Sequence, residues 1–134
     1  MKTTFVIRFG RPERIQQKKH VREIGFPFTV TDAVFVGTPN ERNHSSERKI
    51  YVAVTDLLEK SCGLSEEALV KVLFEYARRH IEQKLRAGSL SMREEFTLGC
   101  EDVPQWPPFD YTRIRDPNGA RVLINIDSSS EQHD

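Results

Sequence analysis

The stretch SEEALVKVLFEYARRHIEQKLRAG, residues 65–88, predicts one long helix with a defined start and end. Ser65 can accept a hydrogen bond from an amide of the first turn, and Leu64 and Leu69 occupy the two positions of a hydrophobic staple. Gly88 suits the left-handed conformation that ends many helices. Apolar residues recur at steps of three and four and form one stripe: Val70, Leu73, Phe74, Ala77, Ile81 and Leu85. This helix needs a partner surface, which the rest of the chain must supply.

Short segments rich in β-branched and aromatic residues predict the strands of that surface. They are residues 3–9, 28–36, 49–55, 94–98, 111–115 and 120–126. The last two flank Asp116-Pro117-Asn118-Gly119, which suits a type I turn and predicts a hairpin. The sum is an α+β domain of two layers, in which a mostly antiparallel sheet of five or six strands packs against one long helix. We expect one domain at residues 1–127 and a disordered tail at 128–134, which has little to bury.

Three shorter segments are less regular. Residues 13–23 contain helix formers but few apolar residues, so a short exposed helix, which we favour, and an edge strand both stay open. Gly25 and Pro27 are expected to end that segment in either case. Asp56 is expected to cap a short helical turn, with Glu59 completing a capping box. The polar stretch 38–48 is expected to form a long mobile loop between two strands.

The charge of the chain is balanced overall but unevenly distributed. There are 20 basic and 20 acidic residues, yet residues 1–25 carry a net charge of +5 and residues 89–134 a net charge of −5. The two ends can neutralise each other within the fold, or the basic segment can meet an acidic partner. If that segment met phosphates, its basic residues would form a stripe: Arg8, Arg11, Arg14, Lys18, Lys19 and Arg22.

Motifs that would indicate specific chemistry are missing from the sequence. The four histidines are scattered, and neither a paired-cysteine metal pattern nor a glycine-rich phosphate loop occurs. Cys100, His80 and Asp102 could form a nucleophile–base set only if the fold assembled them, and we favour packing roles for Cys100 and His80. Trp106, in the segment WPPF, either covers the end of the sheet or docks on a partner. We predict no catalytic residue, no metal ligand and no cofactor.

The sequence therefore favours a small soluble cytoplasmic domain that acts by binding. No apolar run is long enough to cross a membrane, and two widely separated cysteines are typical of free thiols in a reducing compartment. A homodimer or a protein partner is expected, because one helix and a short sheet leave a face or an edge to cover. The candidate binding residues are Arg11, Arg14, Lys18, Lys19, Arg22 and Trp106. The alternatives are a nucleic-acid-associated protein and a small enzyme with its site near residues 38–48.

Overall fold

The computed structural model describes residues 2–14, 21–62, 65–100, 102, 113–114 and 116–127. Within these residues, six strands, two α-helices and two short 3-10 helices follow one another. They are β1 (Lys2–Phe9), β2 (Glu13–Arg14), β3 (Val21–Asp32), the 3-10 helices Ala33–Phe35 and Glu41–His44, β4 (Ser45–Thr55), α1 (Asp56–Cys62), α2 (Glu66–Arg86), β5 (Arg93–Leu98) and β6 (Arg121–Asp127).

The strands form one sheet in the order β5-β4-β3-β1-β6, and β2 pairs with β3 beyond the end of β1. Every pair is antiparallel except β4 with β5, which are parallel because α1 and α2 carry the chain back between them. The sheet curls into a half-barrel that packs with α2. The predicted α+β architecture, a mostly antiparallel sheet with one long helix, is confirmed.

Helix α2 begins and ends as its sequence predicts. The Ser65 hydroxyl accepts a hydrogen bond from the amide of Ala68 at 3.2 Å. At the other end Gly88 has a φ of 69°, and the amides of Gly88 and Ser89 donate to the carbonyls of Leu85 and Lys84. These two bonds are the pattern of a Schellman cap, which satisfies carbonyls that the helix leaves open. Leu64, predicted in the staple, lies outside the described residues.

The predicted stripe of α2 faces the concave side of the sheet. Leu73, Phe74, Ala77 and Ile81 are buried, whereas Val70 and Leu85 are half-buried. The ring of Phe74 meets that of Phe9 edge-on at 4.7 Å between centroids, and lies 5.8 Å from that of Phe26. The core is completed from the same face of the sheet by Ile7, Ile24, Phe28, Ile50, Val52, Val54, Leu98 and Ile124.

Strand β3 is longer at its start than the sequence indicates, and the prediction that Gly25 and Pro27 end the preceding segment is wrong. Pro27 pairs with Lys49 of β4, but the amide of Lys49 donates to Met92 on its other side. The nitrogen of Pro27 therefore faces away from β4, and its missing N–H costs no bond in that ladder. The carbonyl of Pro27 accepts from the amide of Gly10 at 2.9 Å, where β1 ends.

The helix favoured for residues 13–23 is wrong for the described part of that segment. Glu13 and Arg14 form β2, which pairs with Ile24 and Gly25, and residues 21–23 open β3. The edge-strand alternative is the one observed, because the poor apolar pattern gives a helix nothing to bury while β3 offers unpaired backbone groups beyond the end of β1. Residues 15–20 lie outside the described residues.

The connection between β3 and β4 lies nearer the start of the chain than predicted and contains two 3-10 helices, Ala33–Phe35 and Glu41–His44. Strand β3 ends at Asp32 instead of residue 36, because the Asp32 carboxylate accepts the amide of Val34 and starts a 3-10 turn. Residues 45–48 belong to β4, where Ser45 pairs with Thr31. A stacked pair, Phe35 on His44 at 3.5 Å, closes the loop that remains.

Two local turn predictions are also corrected. Thr55, not Asp56, supplies the cap of α1, since its hydroxyl accepts the amide of Leu58 at 3.4 Å and Asp56 is already helical. The turn after Asp116 closes one residue later than predicted, with the amide of Ala120 bonded to the carbonyl of Pro117 and a φ of 85° at Gly119.

The hairpin predicted between residues 111–115 and 120–126 does not form in the described residues. Arg113 and Ile114 are not in a strand, and β6 pairs with β1 instead. The amide of Gly119 donates to the carbonyl of Phe9, and the amide of Phe9 donates to the carbonyl of Ala120. Two residues of one strand thus lie opposite one residue of the other, which is the geometry of a glycine bulge. This bulge directs the chain onto the free edge of β1. The tail predicted at 128–134 lies outside the described residues, and the single domain stays a prediction.

We expect Phe74→Ala to lower the free energy of unfolding by about 3–5 kcal/mol, because it removes a ring enclosed by Phe9 and Phe26. Gln83→Ala on the same helix is the control, since Gln83 is exposed and its loss should change stability by less than about 0.5 kcal/mol. Urea denaturation of both variants measures the difference. Equal midpoints would contradict the orientation of α2.

Candidate functional site

An open groove of about 690 Å³ lies where the start of α2 faces two turns of the chain. One wall is formed by Arg11, Pro12 and Arg14, from the segment that leads from β1 into β2, and the opposite wall by the first turns of α2. The turn at residues 116–118 closes one side, and the half-buried side chains of Pro12 and Val70 contribute apolar surface. A concave site of this volume is within the range that binds ligands or short segments of a partner.

The groove carries charges of both signs. Its basic groups are Arg11, Arg14 and Lys71, and its acidic groups are Glu66, Glu67 and Asp116. Arg14 lies 3.3 Å from the Glu66 carboxylate, and Lys71 lies 3.8 Å from that of Glu67. Glu66 and Glu67 belong to the first turn of α2, where the helix dipole favours negative charge.

Arg22 bonds to Glu66, one of the residues that line this groove, and connects three elements. From β3 its guanidinium donates to Glu59 of α1 at 2.8 Å and to Glu66 of α2. Its side chain is only 21% exposed. Burial acts to lower the pKa of Arg22, but the hydrogen bonds and charges of Glu59 and Glu66 outweigh it and raise the pKa. Arg22 is thus a fixed cation that joins the two helices to the sheet.

The structure brings together three of the six predicted binding residues. Arg11 and Arg14 line the groove, and Arg22 reaches it through the shared carboxylate of Glu66. Lys18, Lys19 and Trp106 lie outside the described residues. The structure leaves the binding role of all six untested.

The positive charge of the first segment is met by carboxylates from the middle of the chain. Arg8 lies 3.8 Å from Glu41, and the carboxylates that meet Arg14 and Arg22 come from α1 and α2. The segment also supplies an acid, since Glu13 pairs with Lys49 at 3.2 Å. Neutralisation by the acidic last segment is one of the alternatives that the sequence leaves open, and these pairs do not use it.

A second polar cluster, which the sequence analysis missed, joins α2 to β5. The Glu94 carboxylate is buried, lies 2.9 Å from Nε2 of His80 and accepts the amide of Ser91 at 2.7 Å. The His80 ring also stacks on Phe96. The signal that could have found it is the position of Glu94, which shares the inward face of β5 with Phe96 and Leu98.

In this cluster His80 bonds to Glu94, and none of the hydrogen bonds of the described residues joins it to Cys100 or Asp102. Cys100 has a free, exposed thiol, and Asp102 accepts the amide of Gly99 at 2.7 Å. His80 packs at the edge of the helix stripe, as the sequence analysis favoured. In the part of the chain that the structure describes, no group of three His, Cys, Asp or Glu side chains is placed to hold a metal ion. In that same part, no helix is both long and apolar enough to cross a membrane.

No protein-family model, curated protein or solved structure matches this chain.

We expect Arg22→Ala to lower the free energy of unfolding by about 1.5–3 kcal/mol, because it removes a partly buried cation that bridges Glu59 and Glu66. Arg14→Ala is the control, since the Arg14 side chain is 74% exposed and its ion pair should contribute less than about 0.5 kcal/mol. Urea denaturation near neutral pH compares them. Equal losses would mean that Arg22 does not hold the helices to the sheet.

Glu94 should make stability depend on pH. Burial acts to raise the pKa of Glu94, but the hydrogen bonds from His80 and Ser91 outweigh it and hold the pKa below its usual range. The carboxylate therefore stabilises the fold fully above its unfolded pKa of about 4.3, and this contribution is lost as pH falls through the lower folded value.

We expect Glu94→Gln to cost about 1.5–3 kcal/mol near neutral pH, and we expect this cost to shrink below about pH 4. Glu95→Gln is the matched control, because the Glu95 side chain is 66% exposed. Denaturation of the three proteins over a pH series gives the comparison. A cost that stays constant down to pH 3 would contradict the role of the ionised carboxylate.

Proposed function

We propose that this chain is a small non-enzymatic binding domain, and that its groove at the start of α2 takes a segment of a protein partner. The observation that carries the proposal is the composition of the groove: apolar surface from the half-buried Pro12 and Val70, beside guanidinium, ammonium and carboxylate groups. An apolar centre with a polar rim is the usual anatomy of a protein interface. A polypeptide offers charges of both signs to such a rim.

The same rim disfavours nucleic acid as the partner. Glu66, Glu67 and Asp116 would face a phosphate backbone and repel it. Three of the six cations in the predicted phosphate-binding stripe are also engaged, since Arg8, Arg14 and Arg22 each meet a carboxylate of the chain. These pairings favour a role for the positive charge of the first segment in the fold and in this groove over binding to a polyanion.

The region around residues 38–48, proposed as the site of a small enzyme, uses its polar groups internally. The Glu41 carboxylate accepts the amide of Gly37 and lies near Arg8. The Ser45 hydroxyl donates to the carbonyl of Glu41, and the Arg48 guanidinium donates to that of Leu90. These bonds support a structural role for the segment, so the enzyme is the weaker alternative.

A cytoplasmic location is part of the proposal. It is supported by the free and exposed thiol of Cys100, because such a thiol persists in a reducing compartment.

The binding function can be tested with peptides selected from a random library by the purified protein, with affinities measured by fluorescence anisotropy. We expect Lys71→Glu to weaken groove-bound peptides by about tenfold or more, because it reverses one charge of the rim. Lys84→Glu is the matched control: it makes the same change on the same helix, at the end far from the groove. Peptides that lose equal affinity with both variants, or with neither, would contradict binding in the groove.

Duplex DNA and single-stranded RNA provide the competing test in the same assay. Near physiological salt we expect weak or no binding, because the rim carboxylates oppose phosphates. Tight binding at that salt, abolished by Arg11→Glu, would replace the proposal with the nucleic-acid alternative.

A further inference from the structure

Strand β6 lies at one end of the strand order in the sheet that the described residues form, so one of its two sides faces away from the other described strands. Among the residues that the structure describes, β6 pairs only with β1. The amide of Phe9 donates to the carbonyl of Ala120. Because hydrogen-bonded pairs alternate along an antiparallel ladder, the backbone amides and carbonyls of Val122, Ile124 and Ile126 also point towards β1. The amides and carbonyls of Arg121, Leu123, Asn125 and Asp127 consequently point outwards along the edge.

One of these outward carbonyls confirms the assignment. The Arg86 guanidinium, from the last turn of α2, donates to the carbonyl of Asn125 at 2.8 Å. The outward carbonyl at this position can therefore be reached from outside the sheet. The other outward-facing positions carry exposed side chains, including Leu123, which is 60% exposed.

The sequence of β6, RVLINID, is complementary to itself when it is reversed. In an antiparallel pair of two copies with a two-fold axis at Ile124, Arg121 of each copy lies opposite Asp127 of the other. Leu123 then lies opposite Asn125, and Val122 opposite Ile126. In this register, each residue whose amide and carbonyl point away from β1 lies opposite another such residue of the second copy. These amides and carbonyls therefore form the hydrogen bonds of the ladder. Opposite charges meet at both ends, and apolar side chains meet on the core face.

The monomer leaves the charge of Arg121 next to a like charge. Arg121 lies directly opposite Arg8 in the pair of β1 with β6, and two like charges in that position are unfavourable. Arg8 is offset by Glu41, whereas no carboxylate of the described residues is paired with Arg121. An acidic side chain supplied from beyond the edge would relieve this repulsion. Asp127 of a second copy is placed to do so.

We infer that β6 is the interface of a symmetric homodimer, in which two copies of this chain join their sheets through antiparallel β6 strands centred on Ile124. The interface is separate from the groove at the start of α2. Such an isologous contact uses the same patch of both copies and closes on itself, so it removes the exposed edge without forming fibres.

Arg86 opposes this association, so a substitution that removes its side chain should strengthen the dimer. Its guanidinium occupies the carbonyl of Asn125 to which the amide of Leu123 from the second copy would donate. The Arg86 side chain is 50% exposed and is also paired with Glu82, so it can move aside at a modest cost. Arg86→Ala should therefore tighten the dimer several-fold. A weaker dimer after this change would contradict the inference.

Charge reversal tests the register. We expect the full-length wild type to dimerise at micromolar to sub-millimolar concentration in analytical ultracentrifugation. Arg121→Asp and Asp127→Arg should each weaken the dimer by about tenfold or more, because each replaces two attractive pairs by two repulsive ones. An equimolar mixture of these two variants should recover a dimer, since every end pair across the two-fold is then of opposite sign. This recovery also shows that both variants are folded.

A backbone substitution provides the second arm. Leu123→Pro removes an amide that points outwards, so it should abolish the dimer while leaving the ladder with β1 and the melting temperature nearly unchanged. Leu123→Thr, which keeps the amide, is the matched control and should stay dimeric. A wild type that remains monomeric leaves the edge to a different partner or to none and overturns the inference. A dimer insensitive to the proline and to both charge reversals overturns it as well.

Discussion

The fold depends on the insertion of one apolar stripe, that of α2, into the concave face of a curled sheet. Phe74 lies at its centre, between rings of β1 and β3 that are distant in sequence from the helix. An amphipathic helix is only marginally stable in water unless its apolar face is packed against another surface. Without the helix, the apolar concave face of the sheet would be exposed to water. Each element therefore supplies what the other lacks, and the remaining features are arranged around this contact.

Two polar contacts fix the orientation that the stripe alone would leave loose. Arg22 ties the start of α2 to β3 and α1, and His80 ties a later turn of the helix to Glu94 of β5. Apolar packing is tolerant of small rotations and shifts, whereas a hydrogen-bonded charge at the edge of the core is not, because misplacing it leaves a group desolvated without a partner. Glu66, which Arg22 binds, also lines the groove. The site is thus a consequence of how the helix is anchored.

The sequence predicted the features that depend on short-range periodicity. The caps of α2, its stripe and the architecture all follow from spacing within about 25 residues. The start of α1 and the turn after Asp116 are misplaced by one residue through local bonds, whereas the larger errors occur where distant backbone decides. Pro27 continues a strand because its nitrogen faces away from β4, and β6 joins β1 because the bulge at Gly119 directs it there. The sequence did not predict the groove itself. It predicted a set of basic binding residues, of which Arg11 and Arg14 line the groove. Its acidic half, from α2 and the 116–118 turn, could not be foreseen because sequence distance hides the pairing of Arg14 and Arg22 with Glu66.

The pairing of charges within the fold changes what the uneven charge of the sequence means. A basic first segment indicates a polyanion partner only if its charge reaches solvent unopposed. Here three of its arginines meet carboxylates that the fold brings to them, while Arg121, in the acidic last segment, lies opposite Arg8. Arg121, on the edge strand, is therefore a charge that the fold leaves beside a like charge, outside the segment that the composition singles out. Local pairing, more than net charge along the chain, determines where this protein has an electrostatic reason to bind.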